Sequence, residues 1–358
     1  MLQQHKLNLG VLLFTTVWMP SANADELYSD TKLVASSAAV SLRDMIHGWD
    51  GGFQDGEYAY ADARQRLGVL VGDPQGSHWL LEWQRRWHYD LSFSKGMARY
   101  YRASETGEAL QQDESLRLDI RAITATGLNF GKQFELTEQS LKLTPSVTVY
   151  RADSWQFGHL NGWAAAGSSG SASATLDYHF NEDKLLEYQV DPAAGWGLSF
   201  NLGVDWQIAE QWRLRGQIDD LWNLWRMEDS GYTDACINFD SPSQSVCTSS
   251  ATASGKSGQE VFYGRLRPAT EINLSWTPQL KGLQLGINLY HQGDYSRVGA
   301  TVRQQLADSW SVHSGIYSSR QLGAGVGWKY LALDLKLDDY RMANVRDADF
   351  NLRLALPF

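Results

Sequence analysis

The chain has 358 residues, 12% of them aromatic with 15 Trp among them, a formal net charge of -10 and a mean hydropathy of -0.37. After residue 24 no apolar run approaches the roughly 20 residues that a membrane-spanning helix needs, so any passage through a membrane is made by strands. Strands in lipid must close into a barrel, because the bilayer offers open backbone groups no partner. An acidic chain of this kind is a poor match for nucleic acid.

Residues 1–24 read as a cleaved secretory signal. Lys6 precedes the apolar run Leu7 to Met19, and Ser21-Ala22-Asn23-Ala24 gives small residues before Asp25-Glu26. Export to an oxidising compartment suits the two cysteines, Cys236 and Cys247, which fall in a polar segment and can close one loop disulfide. Residues 25–56 are the least patterned part and serve as a periplasmic segment or a first strand, with Ser41 to Trp49 as the stretch in question.

From residue 57 side chains alternate at period two, the signature of strands with one apolar face. Ala59, Ala63 and Leu67 alternate with Arg64 and Arg66, and Gly72 to Gly76 turns the chain. Trp79, Leu81, Trp83, Trp87 and Tyr89 then face away from Glu82, Gln84, Arg86, His88 and Asp90. Arg85 breaks the rule and is expected near a rim or a bulge, where its stem can reach an interface. Ser104 to Gly107 reads as a loop, and Leu116, Leu118 and Ile120 alternate with Arg117, Asp119 and Arg121.

A strand follows from Leu141 to Val149, and two weaker ones flank Gly167 to Ser171. Trp196 to Trp206 and Trp212 to Leu224 form a hairpin with Arg213, Arg215 and Asp219 on its polar face, and Asp220 is a second rule-breaker. Met227 to Gln259 is the longest polar segment and reads as an outer loop. Six more strands follow, with Glu271 and Arg303 on polar faces. In the last strand Phe350, Leu352, Leu354, Leu356 and Phe358 oppose Asn351 and Arg353.

An apolar strand that stops at a terminal Phe, after a long series with the same alternation, resembles the bacterial outer-membrane β-barrel superfamily, porin-like, with no specific member identified. The resemblance covers residues 57–358. It implies an all-β antiparallel transmembrane barrel of about sixteen strands, with fourteen as the alternative, and both termini periplasmic. It also implies that Phe350 to Phe358 is the signal read by the barrel-assembly machinery, and that Gram-negative outer-membrane lipid is the surrounding solvent.

The expected lumen lining is Arg64, Arg66, Glu82, Arg86, Arg117, Asp119, Arg121, Arg213, Arg215, Asp219, Glu271, Arg303 and Arg353, a set in which arginine outnumbers carboxylate. The function expected is a passive channel for small polar or anionic solutes, with no cofactor, metal or catalytic residue. A non-conducting structural, binding or assembly-associated barrel is the alternative. A hydrolase centred on His88 or His313 is the weaker third reading, since no nucleophile or metal motif accompanies either residue.

Overall fold

The computed structural model describes residues 24–357 apart from 50, 73–76, 137–139, 183–192, 240–241, 243–244 and 250; the signal run and Phe358 lie outside them. In chain order the strands are β1 (Ala24–Ser37), β2 (Tyr58–Gly72), β3 (His78–Phe93), β4 (Glu114–Leu136), β5 (Leu141–Ala164), β6 (Ala172–Phe180), β7 (Ala194–Ala209) and β8 (Trp212–Phe239). They continue as β9 (Ala253–Gly264), β10 (Ala269–Trp276), β11 (Leu283–Gln292), β12 (Tyr295–Ala307), β13 (Trp310–Tyr317), β14 (Leu322–Trp328), β15 (Leu331–Leu337) and β16 (Asp347–Pro357). Two helices, α1 (Asp44–His47) and α2 (Lys95–Thr106), lie between early strands.

Sixteen strands form, but only fourteen close the ring. β5 pairs β7 below and β6 above, and β8 pairs β7 and β10 below and β6 and β9 above. β6 and β9 therefore stand outside the ring, in an extension carried by the long strands β5 and β8. Of the two expected counts, sixteen is the number of strands and fourteen, the alternative, is the number in the closed ring. The extra pair arises because two strands that run toward the end bearing both chain ends are each split. Asn181 accepts from the Trp155 amide at 3.0 Å and donates to the Asp153 carbonyl, filling the split between β6 and β7. Asn223 does the same for both backbone groups of Leu266 between β9 and β10. A side-chain amide takes the place of a peptide group at each break.

β16 closes the ring on β1, with Leu27 opposite Leu356 and Leu33 opposite Phe350. The strand order predicts a partner near residues 41–72 for the last strand, and the partner is β1, just before them. β1 escaped reading because its outward face includes Ser29 and Thr31 while its inward face includes Tyr28 and Val34, which blurs the alternation. The stretch from Ser41 to Trp49 holds α1 instead of a strand. The supposed loop around Ser104 is the end of α2, capped by Ser94 at its start and by Gly107, at φ 74°, at its end. The long polar segment is largely a hairpin, since β8 runs on to Phe239 and pairs β9. The Cys236–Cys247 disulfide is formed at the top of that hairpin.

The outer wall carries the apolar residues. Leu67, Trp79, Leu81, Phe130, Val149, Ile287, Val302 and Leu333 are all exposed. Near the end that bears both chain ends, Trp212 stacks on Trp276 and Trp310 lies against Trp328, as in the aromatic girdle of a membrane barrel. The rule-breaking Asp220 sits at φ 56° in a register shift between β7 and β8. The extra residues send Leu221 and Trp222 outward together and leave Asp219 and Asp220 on the inner side. Arg85, by contrast, lies in a regular stretch of ladder, between Gln65 and Thr126.

A pinched and charged lumen as the candidate functional site

Counted round the ring, β1 and β10 are seven strands apart, on opposite walls, and so are β2 and β11. Lys32 Nζ on β1 nevertheless reaches Glu271 Oε2 on β10 at 2.5 Å, and the hydroxyls of Tyr60 on β2 and Tyr290 on β11 are 2.7 Å apart. A round barrel of this strand number has walls roughly 25 Å apart. Lys and Glu end to end span at most about 14 Å between Cα atoms, so the barrel is pinched at this level.

Around that pinch the inner side chains form a septum. Asp62 accepts from Arg64 Nε at 2.6 Å and from Arg86 Nη2 at 2.9 Å, and His88 Nδ1 lies 2.8 Å from it. Arg86 crosses from β3 to β8, giving Nη1 to Asp220 at 2.6 Å, and Arg64 reaches Asp219 at the same distance. Ser199 and the Asn201 side chain hold Asp220 in place through its carboxylate and its amide. Arg86 and His88 are fully buried. An ion buried this deeply is tolerated only when each oxygen and each N–H finds a partner, and here almost all do.

Aromatic rings complete the plug. Tyr60 stacks on Tyr295 at 5.9 Å, beside Val34 and Tyr290. On the other side Tyr150 stacks on Trp225 at 5.0 Å, within an inward cluster that includes Ile123, Ala125, Trp155, Phe157 and Met227. On the terminal side of the septum a cavity of about 690 Å³ opens, lined by both signs of charge. Arg64, Arg66, Lys142, Arg213, Arg215 and Arg353 face Glu26, Asp30, Glu82, Asp205 and Asp219 there. Arg213 grips Asp205 through two bonds of 2.6 Å, and Arg353 reaches Glu26 at the same distance.

The expected lining residues fall at different levels, with Arg64 and Asp219 shared between the septum and the vestibule floor. Arg64, Arg86, Asp219 and Glu271 belong to the septum. Arg66, Glu82, Arg213, Arg215 and Arg353 line the vestibule. Asp119 and Arg121 line a second cavity of about 460 Å³ at the far mouth, where Arg117 lies on the same face of β4. Arg303 is held on its wall by Ser311 at 2.9 Å. Sequence reasoning left out Lys32, Tyr60, Tyr290 and Tyr295, because tyrosine and a single lysine carry no lumen signal in a strand pattern. Asp62, on the same face of β2 as Arg64, is the hub, and nothing in the strand pattern marks it as such. His88 is bound to Asp62 inside the septum, and His313 pairs Asp334 on the neighbouring strand but one.

No family model and no curated protein matches the chain. Among solved structures, the deltaS2S3 mutant of the TodX monoaromatic hydrocarbon channel is 9% identical, with a TM-score of 0.45 over 94% of this chain and 90% of that one. A Pseudomonas aeruginosa FadL homologue is 10% identical, with a TM-score of 0.41 over 94% and 89%. A mutant Rh. blastica porin is 11% identical, with a TM-score of 0.28 over 92% and 99%. Likenesses this weak decide nothing about what this chain carries. The closed ring, its apolar outer wall and its aromatic girdle make it a membrane-type β-barrel on their own.

Proposed function

We propose that the chain is an outer-membrane channel of a Gram-negative bacterium for small polar or anionic solutes, closed at mid-height in this conformation by the cross-lumen septum. One observation carries the reading: a polar vestibule of about 690 Å³ ends on opposite walls joined by ion pairs and hydrogen bonds rather than by backbone. Such links break and re-form without disturbing the barrel ladder, whereas a plug domain would have to unfold or leave. The near balance of six cations and five carboxylates in the vestibule favours polar and zwitterionic solutes over strongly anionic ones.

Orientation follows the loops. At the end bearing both chain ends, β7–β8, β12–β13 and β14–β15 are joined by two residues each, while the opposite end carries the segments 38–57 and 94–113. Short turns suit the periplasmic side. The cleaved signal and the assembly role of the last strand belong to the same reading.

Planar-bilayer recording tests the channel. Purified wild type is expected to show infrequent steps, and the double variant Lys32→Ala/Glu271→Ala frequent and larger ones. Silence from both, at both polarities, would sink the channel reading. It would leave the alternative of a non-conducting scaffold, which the inward cluster of Tyr150, Trp155 and Trp225 favours.

A further inference from the structure

On the outward wall of β2 to β5 one polar row interrupts the apolar face. In ladder register, Leu67, Trp83, Leu128 and Val149 form one outward row, all apolar. The next outward row toward the far end is Gln65, Arg85, Thr126 and Arg151, every member a hydrogen-bond donor. Arg85 and Arg151 are exposed, and neither has a carboxylate partner among the described residues. Arg85 lies over the Trp87 ring at 5.0 Å, so its side chain runs along the wall away from the apolar row. Asp153, two residues beyond Arg151 on β5, accepts from Thr126 at 3.3 Å. The comparable outward residue Arg226 is already paired, with Glu228.

We propose that Arg85 and Arg151 bind the phosphate of an anionic membrane lipid whose acyl chains lie on Trp83 and Leu128. Two guanidiniums two strands apart, roughly 10 Å between backbones, can both reach one phosphate group, and guanidinium donors match phosphate geometry. The apolar row directly beneath supplies the second half of the match. A soluble anion would use the donors and leave the apolar row uncovered. A lipid uses both. A lone arginine in a lipid-facing wall is costly unless it snorkels to an interface or meets a headgroup, and the posture over Trp87 does the first while the bare donors invite the second. The inference needs the barrel to sit in a membrane and does not depend on whether its lumen conducts.

Native mass spectrometry of the detergent-purified chain tests it, with phosphatidylglycerol and phosphatidylcholine of the same acyl chains as probes. Phosphatidylglycerol adducts should survive activation that strips phosphatidylcholine. The double variant Arg85→Gln/Arg151→Gln should lower that retention roughly tenfold, while Arg226→Gln leaves it unchanged. Heat-modifiable gel mobility confirms that each variant is folded. Equal retention of the two lipids by wild type, or undiminished phosphatidylglycerol on the double variant, overturns the proposal. So does inorganic phosphate that binds as tightly as the lipid, since the site would then serve a soluble anion.

Discussion

The septum and the vestibule are built from the same residue types, and water separates them. In the septum Arg86 and Asp220 have side chains 0% and 1% exposed, whereas in the vestibule Arg213 and Asp205 are 38% and 28% exposed at the same 2.6 Å separation. Equal geometry therefore does not mean equal worth. A buried charge stripped of its partner keeps its full desolvation penalty, while an exposed one returns to solvent. The septum is a closure in which loss of a single buried member is costly, and the vestibule is a lining that tolerates substitution.

The largest effect is expected at the hub. Arg86→Leu leaves Asp62 with Arg64 and His88, and the Asp220 carboxylate with Ser199 and a long contact of 3.9 Å to Arg64, and should destabilise the barrel by about 3–5 kcal/mol. Urea unfolding of the refolded chain in lipid vesicles, followed by tryptophan fluorescence, measures it. An unchanged midpoint would mean that water reaches the septum and that the two regions do not differ. A step smaller is Glu271→Gln, which keeps one acceptor for Lys32 and exchanges an ion pair for a neutral bond. Both side chains are 25% exposed, so a loss of about 1–2 kcal/mol is expected by the same assay. Smaller again, Arg213→Ala in the vestibule should cost less than about 1 kcal/mol, and the cost should shrink further in high salt.

This contrast also explains what could be read from the residues alone. Alternation assigns each side chain to a face, so Arg64, Arg66, Glu82, Arg86 and Asp219 could be put on one inner surface from the sequence. Nothing in the alternation says which walls of a ring approach one another. Lys32 and Glu271 are 239 residues apart and seven strands apart, and their contact follows from the pinch rather than from any local pattern. Asp220 was recognisable as a rule-breaker, because two adjacent carboxylates cannot share one face of a regular strand. Its partner on β3 was not. The choice between sixteen and fourteen is open in the sequence for a related reason: β6 and β7 each carry a strand's pattern, and only the pairing shows that they are two halves of one descending path.

The mildest effect lies outside the membrane-spanning wall, where the segment after β1 is tied to α2. Arg99 grips Asp55 with Nε at 2.9 Å and Nη2 at 2.6 Å and gives Nη1 to Glu114 at 2.8 Å. The hydrogen bonds from Arg99 hold the Asp55 carboxyl below the usual carboxylate range. A depressed folded-state pKa means that the stabilisation is complete above the unfolded value of about 3.9. It is then lost as pH falls through the lower folded value. Hydrogen exchange of peptides from 38–57, corrected for intrinsic rates, should stay flat from pH 7 to about 5 and quicken below about 4. Asp55→Asn should remove that acid step and leave faster exchange at every pH, because the tie is already lost. Trp49, packed against Phe93 and Tyr101, still anchors the segment when the pair is gone, so the change stays local and the barrel midpoint does not move. If acid instead loosened the septum before this cap, the order of protection between buried and exposed ion pairs would be reversed, and with it the distinction drawn between the two regions.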